Sequence, residues 1–482
     1  MRNSRAELLI LAIDIGSSST RTALFDHKAR RLSETAASVA YGVRYTSDGG
    51  AELSPFTLRR AAARCLTETL RKHRASPALR KIPVAAIGGS SLWHALLGLD
   101  RYSRPITPIF TWADSRATDD AARLRERLSE RKVHARTGCM LRATFWPAKL
   151  LWLKRTQPNL FRRVSAWTSP VDWIFRELFS ATGTSESMAS ATGLYNVAQR
   201  EWDEELCKVC HVDPEELPLI SEESENREGP RIFTAIGDGA AGNLGSGADR
   251  PGIIAINMGT SAAVRMMQTN HQAAQTKVPF GLFRYMVDAQ RSVIGGAVSN
   301  AGNLRVWCLR NMQLKETEAD RALSRAKAPT DLLTVLPFWA GERAPTWPER
   351  QFGVIDGLNQ STRAADILRA TTTAVLYRLA QILDLIEGAT VRPRRIIVSG
   401  GIVHSMAAIK LLADAIGRDV EIAREAEASL RGAAVHVLNQ MGIAAGPERA
   451  GKTIKCNRAL AAKHRQRRKR QIDLESMLTS PR

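Results

Sequence analysis

One strand–turn–strand pattern occurs twice in the sequence, and this repeat constrains the fold more than any other feature. The first copy is ILAIDIGSSSTRTALF, and the second, about 243 residues further on, is GIIAINMGTSAAVRMM. Each copy is an apolar β-rich run, a turn of glycine and hydroxyl residues, and a second run. Because such self-similarity marks duplicated units, we predict two related domains in tandem. The alternation of predicted strands and helices elsewhere indicates an α/β fold.

A glycine-rich stretch, IGDGAAGNLGSG at 236–247, poses the main functional question, because its glycines have the G-x-G-x-x-G spacing of a dinucleotide-binding loop. The next predicted strand, Ile253 to Asn257, starts so soon that it leaves little room for a crossover helix. That strand also ends without the acid that would hold a ribose hydroxyl. The dinucleotide interpretation is therefore a minor alternative. Asp238, among the glycines, is either a turn former or a general base for an attacking hydroxyl group.

The two glycine turns of the repeat can bind phosphate, because they expose backbone N–H groups and hydroxyls in one place. Asp14 enters the first turn, and a carboxylate at this end of a strand can hold Mg²⁺ directly or through water. The corresponding residue of the second copy, Asn257, carries no charge, so we expect the two copies to have different roles.

Composition sets the class of protein. A chain of 482 residues, 44% of them hydrophobic, is too long for one core and is expected to form two or three domains. We see no membrane-spanning run and no leader segment, and we expect a cytoplasmic protein. The net charge is +21, and nine Lys or Arg residues without an acid lie between Lys452 and Arg470. Such a run can bind nucleic acid, but we favour a solvated terminal extension.

Beyond these patterns, the chain resembles the FGGY family of carbohydrate kinases from about Leu9 to Leu438. Seven motifs occur in the family's order, and the last two follow the second copy of the strand–turn–strand pattern. They are AIDIGSSSTRTALFD, SSLWHALLGLD, TWADSRA, GDGAAGNLGSG, NMGTSAAVR, PFWAGERAP and VSGGIVHS. The resemblance implies two ribonuclease-H-like (actin-like ATPase) domains around a central cleft. We place the sugar-binding domain at 8–247, the ATP-binding domain at 248–442 and a basic extension at 443–482.

Through the resemblance, individual residues acquire expected roles. Asp238 matches the family's catalytic base and also contacts the substrate, and Asp14 and Asp238 match the Mg²⁺ site, Asp14 acting through water. The other expected sugar contacts are Trp93, His94, Trp112, Asp114 and Arg116. The expected ATP contacts are Gly16, Ser17, Ser18, Ser19, Gly259, Thr260, Ser261, Gly302, Gly400, Gly401 and Ser405.

From local sequence alone, the sugar contacts have simpler explanations. His94 lies in a predicted apolar strand, where a lone histidine is often a core residue. Asp114 and Arg116 could form a surface ion pair, and Trp112 could belong to the core. Trp93 stands where relatives commonly carry Met or Gln, which predicts a narrower pocket. The residue that would bind a substrate carboxylate is left open.

Within the family, the resemblance is strongest to gluconate kinases, through TWADSRA, SMASATGLYN followed by EWDEE, and GERAPTWPE. It implies phosphorylation of D-gluconate to 6-phosphogluconate, with ATP and Mg²⁺ as cofactors. A xylulose or other pentulose or polyol kinase is the alternative. A regulatory or nucleic-acid-binding protein that uses the kinase fold and the basic tail is the alternative from another class. We expect a sugar or sugar acid and ATP as partners, and neither a membrane nor nucleic acid; a homodimer is left open.

Overall fold

The chain forms two compact units. The first comprises the described residues up to Gly247 together with 284–293 and 427–448. The second comprises Ala248–Phe283, Ile294–Ala426 and the described residues after Glu448. A sheet lies in each unit, which confirms the predicted α/β class with two sheet-containing domains. The structure is a computed structural model and describes residues 7–224, 229–324, 333–448 and 451–479.

The strands divide at Gly247. Those before it are β1 (Leu9–Ile15), β2 (Ser19–Asp26), β3 (Arg31–Ala40), β4 (Arg44–Tyr45), β5 (Ala51–Leu53), β6 (Val84–Ser91), β7 (Leu97–Leu99), β8 (Ile109–Phe110), β9 (Ala166–Thr168), β10 (Tyr195–Asn196), β11 (Glu201–Trp202), β12 (Glu223–Ser224), β13 (Arg231–Phe233) and β14 (Ile236–Gly237). Those after it are β15 (Ile253–Met258), β16 (Ala262–Thr269), β17 (Phe283–Asp288), β18 (Arg291–Val298), β19 (Thr334–Leu336), β20 (Val354–Asp356), β21 (Arg395–Ser399), β22 (Val420–Ile422) and β23 (Thr453–Ile454).

The helices divide at the same point. Those before it are α1 (Pro55–Ala75), α2 (Thr118–Arg127), α3 (Glu130–Thr137), α4 (Trp146–Thr156), α5 (Pro158–Phe161), α6 (Pro170–Phe179), α7 (Glu186–Ser190), α8 (Glu204–Cys210) and α9 (Asp238–Gly245). Those after it are α10 (Asn270–Gln275), α11 (Gly302–Asn311), α12 (Glu316–Ser324), α13 (Ala364–Ala389), α14 (Met406–Ile416), α15 (Ala428–Gln440) and α16 (Arg458–Thr479). In the described part of the chain, no helix is long and apolar enough to cross a membrane.

Strand β1 is the centre of the first sheet, because its residues are buried along its whole length. It pairs antiparallel with β2 and parallel with β6, in the order β12-β13-β6-β1-β2-β3. Strand β14 also pairs with β6 in parallel. Since β1, β6 and β14 run in the same direction, their carboxyl ends lie at one edge, where ligands of open α/β sheets usually bind.

The second sheet repeats this arrangement. Its order is β17-β18-β16-β15-β21-β22-β23, and β15 pairs antiparallel with β16 and parallel with β21. Thus β15 has the same kinds of neighbours as β1. The strand–turn–strand pattern that occurs twice in the sequence occupies equivalent places in the two sheets.

The glycine-rich stretch at 236–247 forms helix α9, whereas its sequence predicted little room for a helix. The helix fits before β15 because it is only eight residues long, and it packs closely on α15. A Cβ atom at Gly245 would lie 1.7 Å from the Ala428 carbonyl oxygen, and one at Gly432 would lie 1.8 Å from that of Ala241. The dinucleotide interpretation still lacks support, because β14 and β15 belong to different sheets and α9 is no crossover within one sheet.

The basic tail is not the solvated extension that its charge predicted. Its helix α16 packs on α13, α14 and β19 of the second unit. The Tyr377 hydroxyl and His464 Nδ1 are 2.8 Å apart, and Gln471 Nε2 donates to the carbonyl oxygens of Val335 and Ala374 at 2.8 and 3.1 Å. The buried side chains recur along one face of the helix, and most of the basic residues lie on its remaining faces. Arg468 lies on the buried face, where it pairs with Asp384.

Candidate active site

Asp14 lies next to last in β1, at the carboxyl edge of the first sheet. Its carboxylate is buried, with 6% of the residue exposed. Ser90 Oγ, on the parallel strand β6, donates a hydrogen bond of 2.5 Å to Asp14 Oδ1. The guanidinium of Arg21 lies 3.8 Å from Asp14 Oδ2 and 2.6 Å from Glu427 Oε2. Neighbouring strands therefore determine how this carboxylate is oriented.

The charge of Asp14 is unfavourable where it stands. The pKa of Asp14 is raised to about 6, mainly by burial and to a smaller extent by the nearby carboxylates of Asp238 and Glu427. The hydrogen bond from Ser90 and the charge of Arg21 lower it in part. Carboxylates that repel one another in a buried site are stabilised by a bound cation.

Asp238 is the first residue of α9 and directly follows β14. Because β14 pairs in parallel with β6 at Ser90 and Ser91, Asp238 follows the same sheet edge that carries Asp14. A carboxylate in the first turn of a helix is favoured by the helix dipole. The sheet thus places two carboxylates, 224 residues apart in sequence, near enough for the charge of one to shift the pKa of the other.

These carboxylates fit Mg²⁺ rather than a protein-enclosed metal site. Within the described ranges, no group of three or more His, Cys, Asp or Glu residues is arranged to hold a metal ion. Mg²⁺ usually binds through one or two carboxylates and completes its shell with water and substrate phosphate oxygens. Asp14 and Asp238 would supply that limited set of carboxylates.

Trp93 and His94 lie in a turn between β6 and β7, and not in a strand as the sequence predicted for His94. His94 has a φ of 67°, in the left-handed region. Its ring lies 5.5 Å from that of Tyr285 and 5.0 Å from that of Phe145, and the Trp93 ring lies 4.9 Å from that of Tyr285. Two of the expected sugar contacts, Trp93 and His94, are therefore part of an aromatic cluster in the first unit.

The segment 187–191 contacts both this turn and the residue that precedes helix α9. The carbonyl of Ser187 accepts from Trp93 Nε1 at 3.0 Å, and its hydroxyl accepts from the Gly237 N–H at 3.1 Å. The Ala191 carbonyl lies 2.6 Å from His94 Nδ1. Gly237 is required here, because a Cβ atom would lie 1.7 Å from Trp93 Nε1. One short segment therefore positions Trp93, His94 and the residue before Asp238.

Lys149, in α4, is a buried cation that connects two of the expected sugar-binding segments. Only 1% of the residue is exposed, and its Nζ donates to the carbonyl oxygens of His94 and Thr111 at 2.9 and 2.8 Å. Burial lowers the pKa of Lys149 to about 7, partly opposed by the charge of Asp114. This lysine supports the left-handed turn at His94.

The motif TWADSRA forms a buried ion cluster and not the surface pair suggested by its local sequence. Arg116 Nε donates to Asp114 Oδ1 at 3.1 Å, and Arg116 Nη2 donates to Glu52 Oε1 at 2.7 Å. The guanidinium also lies 4.5 Å from the ring centroid of Trp152. Trp112 is partly buried, and its carbonyl accepts from the Thr144 hydroxyl. Their contacts with a sugar remain predictions.

The first glycine turn, Gly16 to Ser19, joins β1 to β2. The N–H of Gly16 donates to the Ser19 carbonyl at 3.0 Å, and the Tyr41 hydroxyl donates to the Gly16 carbonyl at 2.8 Å. Asp14 lies two residues before this turn. A phosphate group held by the turn would therefore lie near that carboxylate.

In the second unit, the expected ATP contacts of two segments come together. Gly302, at the start of α11, donates its N–H to the Gly259 carbonyl at 2.9 Å. The N–H of Asn303 donates to the Thr260 carbonyl at 3.2 Å. A Cβ atom at Gly302 would lie 2.5 Å from the Gly259 carbonyl oxygen, so the close approach requires glycine. This places the turn that includes Ser261 against the N-terminus of α11.

The loop after β21 is the other expected ATP-binding segment. Gly400 has a φ of 86°, and a Cβ atom there would lie 2.7 Å from the Met258 carbonyl oxygen. Gly401 begins the short helical turn that follows. Ser405 caps α14, and its hydroxyl donates to Asp320 Oδ1 at 2.8 Å. Gly400 and Gly401 therefore lie beside the end of β15, while the Ser405 side chain is engaged with α12.

Sequence reasoning missed three contributors to this site: Lys149, Ser187 and Tyr285. Lys149 had a signal, because it falls among Trp146, Leu150 and Leu153 on the apolar face of WPAKLLWLK. A lysine on such a face is buried and needs partners. Ser187 begins the motif SMASATGLYN, but nothing in the motif indicated its contacts with Trp93 and Gly237, and Tyr285 had no signal, since these contacts come from distant segments.

Comparison with known proteins places these elements in one family. The N-terminal domain model of the FGGY family of carbohydrate kinases matches residues 9–245, and the C-terminal domain model matches residues 254–438. The gluconokinase of Bacillus subtilis and the xylulose kinase of Streptomyces rubiginosus are each 28% identical to this chain. Each comparison covers 88% of the chain and 86% of the relative.

The fold agrees with that of a solved member. The ligand-bound xylulose kinase from Lactobacillus acidophilus superimposes with a TM-score of 0.87 at 23% identity, over 98% of this chain and 99% of that one. The two domain models together span most of the sequence. The chain belongs to the FGGY family of carbohydrate kinases, phosphotransferases that act on an alcohol group.

Proposed function

We propose that the chain is an ATP-dependent gluconokinase, which transfers the γ-phosphoryl group of ATP to the 6-hydroxyl of D-gluconate. Family membership supports ATP as donor and a sugar hydroxyl as acceptor. One observation carries the choice of gluconate. The segment 187–196, which resembles the corresponding segment of gluconate kinases, holds Trp93 and His94 through its backbone carbonyls.

In this proposal Asp238 is the general base. Its carboxylate takes the proton of the 6-hydroxyl while the oxygen attacks the γ-phosphorus, the bond to the β-phosphate oxygen breaks, and ADP leaves. The absence of a side chain at Gly237 lets the Trp93 ring pack beside the residue that precedes this carboxylate. The helix dipole at the N-terminus of α9 favours a negative charge at this position.

Asp14 and the two glycine turns would act on the nucleotide. Mg²⁺, when bound, neutralises charge on the phosphates, and Asp14 is the residue proposed to hold it, through water. The N–H groups of the turns at 16–19 and 259–261 would donate to phosphate oxygens and stabilise the transferring phosphoryl group. The loop at Gly400 and Gly401 would contact the adenosine.

A panel of sugars tests the proposal. ADP release is followed with D-gluconate, D-xylulose and glycerol for the wild-type chain, for Asp238→Asn and for Asp249→Asn, a partly exposed acid that serves as the matched control. We expect kcat/KM for gluconate to exceed that for the other sugars by about 100-fold, equivalent to about 2.7 kcal/mol of selective binding.

The results separate the levels of the proposal. The xylulose kinase of Streptomyces rubiginosus has the same identity to this chain as the gluconokinase, so xylulose is the second candidate. Turnover of xylulose without turnover of gluconate would reject the substrate and retain the kinase. Wild-type turnover by Asp238→Asn would reject the base.

A further inference from the structure

The second unit contains a cavity of about 580 Å³ whose lining is strongly cationic, and we call it the cationic cavity. Three chain segments form it: the residues before β21, the loop after α14, and the residues before α16. Its charged lining residues are Arg392, Arg394, Arg418, Asp419, Lys455 and Arg458. Five of these six carry positive charge.

The negative charge in the lining is already neutralised. Asp419 Oδ2 lies 2.8 Å from Lys455 Nζ, and Asp419 Oδ1 accepts from the Cys456 N–H at 2.9 Å. Arg418 is paired with Glu387. By contrast, Arg392, Arg394 and Arg458 are exposed, and in the described part of the chain their side chains have no ion pair or hydrogen bond. Three guanidinium groups thus remain available to a ligand.

Folding alone does not explain these arginines. Arg458 is the first residue of α16, where the helix dipole disfavours a positive charge. Arg392 and Arg394 add like charges to the same cavity, which repel one another. Like charges that repel one another and have no compensating acid of their own among the described lining residues lower the stability of the unit. Such an arrangement is typical of a site for an anionic ligand.

The cationic cavity is distinct from the expected nucleotide site. The N–H of Arg394 donates to the Gly252 carbonyl at 2.8 Å, which fixes it beside the start of β15. Gly400 and Gly401 follow the other end of β21. Since a strand rises about 3.3 Å per residue, this five-residue strand separates the two places by roughly 15 Å.

We propose that the cationic cavity binds a small ligand that carries at least two phosphate groups. Its volume lies in the range of small-molecule pockets, and guanidinium groups bind phosphate oxygens in pairs. None of the described residues that line it is aromatic, so these residues offer no stacking surface for the bases of a nucleic acid. A compact polyphosphate or sugar bisphosphate therefore fits it better than a polymer.

Calorimetric titration of the full chain with inorganic pyrophosphate, without Mg²⁺, tests this site. The double variant R392Q/R394Q removes two of the available guanidinium groups. The control R465Q/K469Q removes the same charge from exposed positions of α16 outside the cavity. We expect R392Q/R394Q to weaken pyrophosphate binding at least about tenfold and the control to weaken it less than about twofold.

Several outcomes would overturn the proposal. The first is that the wild-type chain does not bind pyrophosphate at about 10 mM. Such a result would mean an affinity weaker than that of the weakest specific sites. Equal weakening in both double variants would show diffuse attraction to a basic surface. Binding that saturating ADP abolishes and R392Q/R394Q leaves unchanged would assign the ligand to the nucleotide site. Binding of a DNA oligonucleotide that is lost in R465Q/K469Q, without pyrophosphate binding, would assign the charge to a polymer.

Discussion

Ser90 Oγ donates a 2.5 Å hydrogen bond to Asp14 Oδ1, and the two residues are register partners on the parallel strands β6 and β1. Ser90 is fully buried. The bond therefore opposes the burial that raises the pKa of Asp14. A serine of one strand thus supports the charge of the proposed Mg²⁺ ligand on the next.

Replacing Ser90 by Ala should lower kcat about 10- to 100-fold, because a hydrogen bond to a charged group contributes about 1.5–3 kcal/mol. Steady-state kinetics with ATP and the preferred sugar measure this change. Ser91→Ala is the matched control, since its hydroxyl is buried on the same strand and has no hydrogen-bond partner in the described ranges. Equal kcat values for the two variants would show that Ser90 does not support Asp14.

Gly237 and Gly242 belong to the same glycine motif, yet their substitutions should have opposite effects. Gly237→Ala places a Cβ atom 1.7 Å from Trp93 Nε1, so the turn at Trp93 must move away from Asp238. We expect kcat/KM for the sugar to fall at least about 100-fold, as misplacement by about 1 Å does elsewhere. Calorimetry should show unchanged ADP binding.

Gly242→Ala is the control for this substitution. Gly242 lies within α9, and a Cβ atom added there would contact only Ser429 Oγ of α15 among the described residues, at 3.8 Å. A helical Ala in place of Gly should raise the free energy of unfolding by about 0.5–1 kcal/mol and leave kinetics intact. If the two variants have the same kcat/KM, the role assigned to Gly237 is wrong.

Lys149 makes stability depend on pH. Its pKa is about 7 in the folded chain against an ordinary 10.5. Between these values the unfolded chain holds a proton that the folded chain lacks, so the free energy of unfolding rises with pH by about 1.4 kcal/mol per unit for this group. Lys149→Met should remove that slope, as measured by urea unfolding at pH 7, 8 and 9.

Lys154→Met tests whether the pH effect is specific to the buried lysine. Lys154 lies on the same helix and is only partly buried, so its variant should keep the wild-type slope. Lys149→Met should also raise KM for the sugar, because the turn at His94 loses its support. Parallel slopes for the wild-type chain and Lys149→Met would contradict the burial of a shifted lysine.

Local sequence patterns predicted the parts of the fold and of the site that depend only on residues close together in sequence. The β1–β2 hairpin follows from an apolar run and a glycine–serine turn, so Asp14 could be placed at the end of its strand from sequence alone. His94 could not be placed, because the Nζ of Lys149 and the carbonyl of Ala191 hold it at a positive φ. Both contacts come from segments distant in sequence. The same limit applies to Ser187 and Tyr285.

Composition gave a wrong prediction for the basic tail, because only a few residues of its helix are buried. The tail at 452–470 has the charge of a solvated segment, but α16 needs only a few buried residues on one face to pack. His464, Gln471 and Glu475 lie on that face among charged residues. Their polar side chains concealed the helical periodicity, which is recognised mainly from apolar residues.

The tail should therefore contribute to the stability of the second unit through Glu475. The Arg378 side chain is fully buried, and its Nη1 lies 2.5 Å from Glu475 Oε2. Glu475→Gln would remove the carboxylate that pairs directly with this guanidinium, at a cost of about 3–5 kcal/mol. The exposed Asp473 on the same helix offers the control Asp473→Asn, expected within about 0.5 kcal/mol of wild type. Thermal unfolding measures both, and a shared midpoint for Glu475→Gln and Asp473→Asn would show that the pair of Arg378 and Glu475 does not stabilise the unit.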